Sequence, residues 1–319
     1  MKLIIQIPCY NEAETLPETV ADLPDQIYGI DEIELLVIDD GSEDETAVVA
    51  QKLGVHHIVK HPRNLGLAKA FKTGLETALR LGADIIVNTD ADHQYPGEYI
   101  SDLVAPIFEQ KADIVIANRQ VDSIKHFSPM KKLLQRVGSW TVRTVSNTSV
   151  PDAVSGFRAY SRDAALRLNI LTNFSYTLDT IIQAGKMGLT ILSIPVHTNG
   201  PTRPSRLQTS MWHFIKAQAS TIIRLYAFYE PLRTFSYIAT PFIFSGLVTW
   251  LRFLYFYITL DGYEGLIQSI TIGTGLLLVG VLIFLFGVQA DVSNKHRQLT
   301  QETLYRLKKF EYQQTKQSS

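Results

Sequence analysis

Two long apolar runs, at about 235–260 and 266–290, constrain the fold most strongly. Each run exceeds the ~20 residues that a helix needs to cross the hydrocarbon core of a bilayer. Only helices and closed barrels satisfy their backbone hydrogen bonds in lipid, so the runs predict two transmembrane helices. The connection at 261–265 is too short for a domain and contains no Lys or Arg, which predicts a helical hairpin.

Basic residues flank this hairpin on both outer sides, which predicts that both flanks and both termini are cytoplasmic. Cys9 is the single cysteine in the sequence, so an intrachain disulfide is excluded and a reducing compartment is favoured. The sequence enters a strand-like run directly after Met1 and Lys2, so no signal peptide is expected. Gly273 and Gly280 would allow close helix packing and are compatible with a homo-oligomer. The flanking basic residues are Arg203, Arg206, Lys216, Arg224 and Arg233 before the hairpin, and Lys295, Arg297, Arg306, Lys308 and Lys309 after it.

Strand-like and helical stretches alternate through the first two hundred residues. Helices of 10–15 residues between the strands predict a doubly wound, mostly parallel sheet. No G-x-G-x-x-G motif or P-loop follows a strand, which argues against a nicotinamide-binding or P-loop protein. The formal net charge of −1 provides no basic field, so nucleic acid is not an expected partner. Apolar runs predict buried strands at 3–7, 33–38, 83–89, 113–117 and 190–196, with a short strand at 56–59.

Acidic residues follow two of these strands, where ligands bind in open α/β sheets. Asp90 and Asp92 are separated by one residue, so their side chains face the same way on extended backbone. With the amide oxygen of Gln94 they make an incomplete oxygen ligand set, suited to Mg²⁺ or Mn²⁺ completed by water and a substrate diphosphate. The simpler alternative is a solvated acidic loop. An EF-hand is excluded because Tyr95 stands where that loop needs glycine.

Three other segments carry local predictions. Ser42 and Glu45 have the spacing of a capping box for a helix at 46–53. A basic amphipathic helix at 125–146 is suited to a membrane surface or a phosphate, or is an ordinary solvated helix. The aromatic-rich stretch at 211–229 is typical of a helix lying in the headgroup layer, with a plain core helix as the alternative.

Five ordered motifs together resemble those of family 2 glycosyltransferases, and within that family the polyprenyl-phosphate sugar transferases. The paired C-terminal runs are most similar to the bacterial branch that transfers glucose. The motifs are Ile7-Pro8-Cys9-Tyr10-Asn11-Glu12, Val37-Ile38-Asp39-Asp40-Gly41-Ser42 with Asp44, Arg63-Asn64-Leu65-Gly66, Asp90-Ala91-Asp92-His93-Gln94 with Pro96, and Asp152 with Ser155-Gly156-Phe157-Arg158.

The resemblance implies an α/β GT-A catalytic domain with a Rossmann-like sheet at 1–205. An interfacial helix at 206–233, two transmembrane helices within 234–290 and a cytoplasmic tail at 291–319 would follow. It also implies an inverting transfer of a hexose, with UDP-glucose favoured as donor, to a polyprenyl phosphate at a bacterial plasma membrane. The alternatives are a GDP-mannose-using polyprenyl-phosphate mannose synthase, a processive polysaccharide synthase and a catalytically inactive membrane scaffold. A processive synthase would need a Q-x-x-R-W-type motif, which is absent from the sequence.

The resemblance also implies a set of site residues. Asp90, Asp92 and Gln94 match the metal–diphosphate site, and Arg119 matches a residue facing the reacting phosphates. Asp92, Arg119 and Asp152 are the catalytic candidates, where Asp152 or Asp179 would orient a sugar hydroxyl or cap a helix. The nucleotide-sugar candidates are Pro8, Tyr10, Asn11, Glu12, Asp39, Asp40, Asn64, Lys69, Asp90 and Ala91.

A polyprenyl phosphate acceptor needs cationic side chains, and bidentate arginines suit a phosphate better than lysines. A surface ion pair is the alternative role for each such side chain. Lys69 and His93 depart from the family pattern, where a small residue and a glycine are frequent. The acceptor-phosphate candidates are Arg119, Lys131, Arg136, Arg203 and Arg206.

Overall fold

A computed structural model of the protein separates into two compact units, residues 1–218 with 301–319, and residues 219–300. The residues that it describes are 1–120, 139–140, 142–144, 146–170, 176–200, 220, 224, 226–259 and 267–318, with side chains described as far as 312.

The described part of the first unit contains a seven-stranded sheet with the strand order β3-β2-β1-β4-β6-β5-β7. Every pairing is parallel except those of β6, which runs antiparallel to β4 and β5. The mostly parallel sheet predicted from the sequence is therefore confirmed, and β6 is an addition to it. The strands are β1 (Lys2–Cys9), β2 (Glu32–Asp39), β3 (His57–Lys60), β4 (Ile85–Asn88), β5 (Ile114–Asn118), β6 (Arg158–Ser161) and β7 (Ile191–Pro195).

Helices follow most of the strands, as expected for a doubly wound sheet. Strand β1 is central, and all its residues from Leu3 onward are buried, which matches its continuous apolar sequence. A Cβ at Gly74 would lie 2.9 Å from Cδ1 of Ile38, so the third helix packs very closely on the sheet there. The helices are α1 (Leu16–Ala21), α2 (Thr46–Lys52), α3 (Leu67–Arg80), α4 (Tyr99–Phe108), α5 (Arg162–Arg167) and α6 (Tyr176–Lys186).

The capping box predicted before α2 is wrong. Helix α2 begins at Thr46, and Glu45 makes no side-chain capping hydrogen bond. The backbone N–H of Thr46 instead donates to Oδ1 of Asp44 at 3.0 Å. The Ser42 hydroxyl accepts a hydrogen bond from the backbone N–H of Asn11 at 2.9 Å, so it joins two loops rather than capping its own helix.

The C-terminal segment from residue 301 belongs to the first unit and is helical to Ser318. Tyr305 is buried, and its hydroxyl donates to Oδ1 of Asp163 at 2.6 Å. The guanidinium carbon of Arg167 lies 4.2 Å from the centroid of the Tyr305 ring, a cation–π contact. These contacts attach the tail to helix α5.

The second unit contains helix α7 (Pro231–Thr259) and the part of helix α8 (Ile267–Ser318) that ends at Thr300. Both helices are long and apolar enough to cross a membrane, with mean hydropathies of 1.4 and 2.4 over their most apolar windows. A Cβ at Gly280 would lie 2.6 Å from Cγ1 of Ile243, which confirms the close packing predicted for this glycine. Of the helices predicted at 125–146 and 211–229, residues 125–138 and 211–219 lie outside the described residues.

Candidate active site

The loops after β1 and β2 form one hydrogen-bonded unit at the carboxyl edge of the sheet. Asn11 has φ +55°, and its side-chain oxygen accepts the backbone N–H of Glu43 at 2.9 Å. The backbone N–H of Glu12 donates to the Thr46 hydroxyl at 2.9 Å. The backbone N–H of Ala13 donates to Asp44 at 3.1 Å. The first two motifs of the sequence are therefore joined through backbone groups.

The acidic pair at the end of β2 is buried, and backbone N–H groups donate to three of its four carboxylate oxygens. Asp39 is inaccessible to solvent, and its Oδ1 accepts the backbone N–H of Ser42 at 2.8 Å. Oδ1 of Asp40 accepts the backbone N–H of Leu65 at 2.9 Å, and Oδ2 accepts that of Gly66 at 2.8 Å. Charge-assisted bonds of this kind to backbone N–H groups are strong. Asp40 thus fixes the loop that contains the Arg63–Gly66 motif.

His61 adds a contact that the sequence patterns did not reveal. Its Nδ1 lies 2.7 Å from Oδ1 of Asp40, and its Nε2 lies 3.0 Å from the Thr73 hydroxyl. His61 is buried, so it links the acidic pair to helix α3 in the interior of the unit. A single histidine after a short strand is not part of a recognisable motif, so the sequence does not predict the contact between His61 and Asp40.

The acidic turn, defined as residues 90–97, follows strand β4. Asp90 and Asp92 are both half-buried, and the backbone N–H of Gln94 donates to Oδ1 of Asp92 at 3.2 Å. The Thr19 hydroxyl donates to the backbone carbonyl of Ala91 at 3.0 Å, which attaches the turn to helix α1. The turn is therefore more open to solvent than the pair after β2.

Gly156 lies directly against this turn. A Cβ at position 156 would be 3.2 Å from both carboxylate oxygens of Asp90 and 2.9 Å from the Tyr176 hydroxyl. The side chain of Asn88 donates to the carbonyl of Gly156 at 2.9 Å, which holds its loop against β4. A glycine here leaves space for the Asp90 carboxylate.

The donor set of the acidic turn fits a divalent cation that is shared with a ligand. The two carboxylates of Asp90 and Asp92 and the amide of Gln94 are oxygen donors of the kind that Mg²⁺ and Mn²⁺ prefer. Among the described residues, no group of three His, Cys, Asp or Glu could hold a metal alone. These three side chains could therefore supply part of the coordination of such an ion.

The half-buried Arg119 and the buried Asp152 form a bidentate ion pair beside this turn. Nε of Arg119 donates to Oδ2 of Asp152 at 2.7 Å, and its Nη2 donates to Oδ1 at 3.0 Å. Burial opposes the charge of each partner. However, the bonds from Arg119 hold the pKa of Asp152 below its usual value, and the pKa of Arg119 is raised. Burial raises the pKa of the neighbouring Tyr95 to about 12, although the charge of Arg119 opposes this shift, so Tyr95 is neutral at pH 7.

Arg158 organises the loop that contains Asp152. The side chain of Arg158 is completely buried and donates to the carbonyls of Ala153, Ser155 and Thr177 at 2.7–2.9 Å. It also donates to the Thr180 hydroxyl at 2.8 Å. The last residue of the Ser155–Arg158 motif is therefore an internal cross-link between this loop and helix α6.

The structure places the sequence-predicted residues as follows. Pro8, Glu12, Asp39, Asp40, Ala91, Asp152 and Asp179 are buried. Tyr10, Asn11, Asp90, Asp92, Gln94 and Arg119 are half-buried, and Asn64 and Lys69 are exposed. The acceptor-phosphate candidates Lys131, Arg136, Arg203 and Arg206 lie outside the described residues.

Comparisons with known proteins identify relatives of this chain and of its fold. Residues 4–168 match the family described as Glycosyl transferase family 2. The undecaprenyl-phosphate mannosyltransferase of Micrococcus luteus is 28% identical over 206 residues, covering 61% of this chain and 83% of the relative. The UDP-N-acetylglucosamine–dolichyl-phosphate N-acetylglucosaminyltransferase of Methanococcus voltae is 29% identical over 217 residues, covering 60% and 83%.

A solved structure supports the fold independently. Glucosyl-3-phosphoglycerate synthase from Mycobacterium tuberculosis, in complex with Mn²⁺ and uridine-diphosphate-glucose, superposes with a TM-score of 0.54. The alignment covers 71% of this chain and 78% of the synthase at 20% identity. At that identity the likeness concerns the fold, and it confirms the predicted GT-A-type sheet.

Proposed function

The chain belongs to glycosyl transferase family 2, and from this premise we propose that it transfers a hexose from a nucleotide sugar to a polyprenyl phosphate. UDP-glucose is the favoured donor, and the product is a polyprenyl-phosphate sugar. The proposal draws on the names of the two relatives, which act on undecaprenyl and dolichyl phosphates. It also draws on the two helices that are long and apolar enough to cross a membrane.

The observation that carries the proposal is the half-buried acidic turn at the carboxyl edge of the sheet. The edge also bears the buried pair after β2, and strand β1 lies between β2 and β4. One end of a nucleotide sugar would lie at Asp39 and Asp40, and its diphosphate at Asp90 and Asp92. This arrangement follows the general rule that ligands of open α/β sheets bind beyond the carboxyl ends of the strands.

Asp90, Asp92 and Gln94 would hold Mg²⁺ or Mn²⁺. When bound, the ion neutralises the negative charge that develops on the departing nucleoside diphosphate. A solved relative of the same fold contains Mn²⁺ and uridine-diphosphate-glucose, which supports this assignment. Gly156 leaves the Asp90 carboxylate room beside the ligand.

The acceptor phosphate attacks without assistance from a strong base. A phosphate monoester has a second pKa of about 6, so it is largely dianionic at neutral pH. One of its oxygens forms a bond to the anomeric carbon while the bond from that carbon to the diphosphate oxygen breaks, with inversion. The electron pair of the broken bond leaves with the nucleoside diphosphate, and no proton has to be removed.

Among the described residues, Arg119 is the basic side chain that we propose faces the reacting phosphates. Both carboxylate oxygens of Asp152 accept hydrogen bonds from Arg119, so Asp152 is better placed to orient the guanidinium than to bind a sugar hydroxyl. Lys131, Arg136, Arg203 and Arg206 remain sequence-based candidates for additional contacts with the acceptor.

The proposed location is a bacterial plasma membrane, with two spans and with the catalytic unit and both termini on the cytoplasmic side. This orientation follows from the basic residues on both outer flanks of the hairpin. It would give the site access to soluble nucleotide sugars and to the headgroup of a lipid phosphate.

The test is a transfer assay with the purified full-length protein in detergent. Polyprenyl phosphate and Mn²⁺ are supplied with radiolabelled UDP-glucose, GDP-mannose or UDP-N-acetylglucosamine, and the label that enters the organic phase is measured. We expect the label of UDP-glucose to enter the organic phase. No label should enter it when polyprenol is supplied instead of polyprenyl phosphate. Transfer from GDP-mannose alone would instead establish the mannose synthase that the Micrococcus relative favours. No transfer from any donor would favour an inactive scaffold.

A further inference from the structure

The backbone of the acidic turn and the carboxylate of Asp90 lie in different surroundings. Nδ2 of Asn199 donates to the carbonyl of His93 at 2.9 Å, which helps to fix the path of the backbone. A bond to a carbonyl does not by itself set the direction of a side chain elsewhere in the turn. The Asp90 carboxylate lies against Gly156, where the Tyr176 hydroxyl is a close neighbour. Tyr176 belongs to none of the sequence motifs discussed above.

Two buried amides lead from the centre of the sheet to the Tyr176 hydroxyl. Nε2 of Gln6 on β1 donates to Oδ1 of Asn88 on β4 at 2.9 Å. Nδ2 of Asn88 donates to the carbonyl of Gly156 at 2.9 Å and to the Tyr176 hydroxyl at 3.3 Å. Because a carbonyl only accepts hydrogen bonds, the Gly156 contact fixes which end of the Asn88 amide is Nδ2. The Tyr176 oxygen is therefore the acceptor in this bond, and its own proton is directed away from Asn88.

Tyr176 is held firmly at the start of helix α6. It is only 3% exposed, and its ring stacks on that of Phe71 with the two centroids 4.1 Å apart. Burial, and next the charge of Asp90, raise the pKa of Tyr176 well above its ordinary value. The hydroxyl therefore keeps its proton at neutral pH and is a hydrogen-bond donor.

The Tyr176 hydroxyl and the Asp90 carboxylate border the same small space. A Cβ at Gly156 would lie 2.9 Å from the hydroxyl and 3.2 Å from both carboxylate oxygens, so it would displace one group or the other. An ionised carboxylate only accepts hydrogen bonds, and a phenol proton directed into this space would stabilise it. Such charge-assisted bonds are stronger than those between neutral groups. The glycine therefore gives the two groups room to meet.

We propose that Tyr176 is a positioning residue, whose hydroxyl holds the Asp90 carboxylate in the orientation that binds the divalent cation. Asn88 and the stacked ring of Phe71 keep the phenol in place behind the carboxylate. Hydrogen bonds that orient a metal ligand are important in proteins, and their loss typically lowers metal affinity about 10–100-fold. This inference rests on the proposed function for the cation site, and it assigns Tyr176 no contact with the substrates.

The test measures Mn²⁺ binding directly, in the full-length protein with UDP and without turnover. The signal of free Mn²⁺ in electron paramagnetic resonance gives the dissociation constant. Tyr176→Phe removes only the hydroxyl and retains the ring that stacks on Phe71. Tyr160→Phe is the matched control, because Tyr160 is completely buried and its ring also lies beside Phe71, with the centroids 5.8 Å apart. A double-mutant cycle with Asp90→Asn shows whether the effect acts through Asp90.

We expect Tyr176→Phe to weaken Mn²⁺ binding about tenfold, at the lower end of the range for residues that orient a metal ligand. Tyr160→Phe should bind Mn²⁺ as the wild type does. In the Asp90→Asn background, Tyr176→Phe should have no further effect, because the carboxylate that it orients is gone. Nucleotide binding without metal should be unchanged in all of these proteins, which shows that they are folded.

Three results would overturn the proposal. The first is wild-type Mn²⁺ affinity in Tyr176→Phe, and the second is an equal loss in Tyr160→Phe, which would indicate a general loosening of the core. The third is the same fold-change for Tyr176→Phe with and without Asp90→Asn.

Failure of the proposed function is recognised separately. A wild type that binds Mn²⁺ but transfers no sugar in the transfer assay refutes that function, and the Mn²⁺ affinity of Tyr176→Phe would still decide whether this residue positions Asp90. A wild type that binds no Mn²⁺ with UDP would overturn both this inference and the metal assignment.

Discussion

Two acidic pairs lie at the ends of strands β2 and β4 of the same sheet, on either side of β1, yet they have opposite environments. Asp39 and Asp40 are 0% and 3% exposed, and backbone N–H groups of three later residues donate to their oxygens. Asp90 and Asp92 are half-buried in a turn that is held mainly through its backbone carbonyls. The first pair uses its charge to build a loop, whereas the second keeps its charge near solvent, where a cation can reach it.

The difference shows that the hydrogen bonds of the backbone decide the role of an acidic strand end. A carboxylate that accepts two or three backbone N–H groups is a structural element, since those groups would otherwise be buried without partners. The acidic turn is instead held through the backbone carbonyls of Ala91 and His93, and its two carboxylates are only half-buried. Five predictions test or sharpen this distinction.

Asp92→Ala should have the largest effect, and it should act on activity alone. Loss of one ligand of a charge-stabilising cation should lower the rate of sugar transfer by at least about 100-fold. The free energy of unfolding should change by less than about 1 kcal/mol, because Asp92 is half-buried and accepts the backbone N–H of Gln94 at 3.2 Å. Transfer assays and thermal unfolding of the same preparation measure both quantities. Full activity of the folded variant, or full activity of the wild type in excess EDTA, would rule out the metal role.

Arg119→Ala should affect both stability and activity, because it leaves Asp152 buried without its partner. Breaking a buried ion pair costs about 3–5 kcal/mol, whereas replacing both partners by neutral groups costs less. Arg119→Ala with Asp152→Asn should therefore be more stable than Arg119→Ala alone in denaturant unfolding. Arg119→Ala should also raise the KM for polyprenyl phosphate more than it weakens nucleotide binding. Unchanged kinetics toward the lipid phosphate would count against its proposed contact.

The same pair predicts a pH dependence of stability. Burial alone would raise the pKa of Asp152, but its bonds with Arg119 lower the pKa below the usual value of about 3.9. A carboxyl group with a lower pKa in the folded state stabilises the fold fully above its unfolded pKa, and this contribution is lost as the pH falls through the folded pKa. The wild type should therefore lose stability more steeply below about pH 4 than Asp152→Asn does. Parallel unfolding curves for the two proteins would contradict this.

The sequence predicted much of the fold and only part of this comparison. The parallel strands and both apolar helices were predictable, because periodicity and length are local properties. Strand β6 was not predictable from the sequence. It is only four residues long, and its buried Arg158 is stabilised by the carbonyl of Thr177, which lies in another element. The two acidic strand ends look alike in sequence. Their difference depends on His61, Asn199 and other long-range donors, which no local pattern contains.

Asp40→Asn should reduce stability by about 1–3 kcal/mol, which is a smaller effect than that of Arg119→Ala. An amide can replace only one carboxylate oxygen, so the N–H of Leu65 or Gly66 would face another donor. Asp92→Asn is the matched control in the acidic turn and should leave the stability nearly unchanged. Denaturant unfolding of the two variants compares the pairs directly. Equal stability of the two variants would show that the environments of Asp40 and Asp92 do not differ as described.

The smallest expected effect is that of His61→Gln. This variant tests whether side chains or backbone groups hold the carboxylate of Asp40 in place. Glutamine cannot reach Asp40 and the Thr73 hydroxyl with the geometry of the imidazole, so about one hydrogen bond, near 1 kcal/mol, should be lost. The backbone N–H groups of Leu65 and Gly66 remain, so the loop should keep its conformation and nucleotide affinity should fall only a few-fold. Thr73→Val removes the outer contact alone and should cost less in the same unfolding assay. A loss as large as that of Asp40→Asn would mean that His61, rather than the backbone, holds the carboxylate in place.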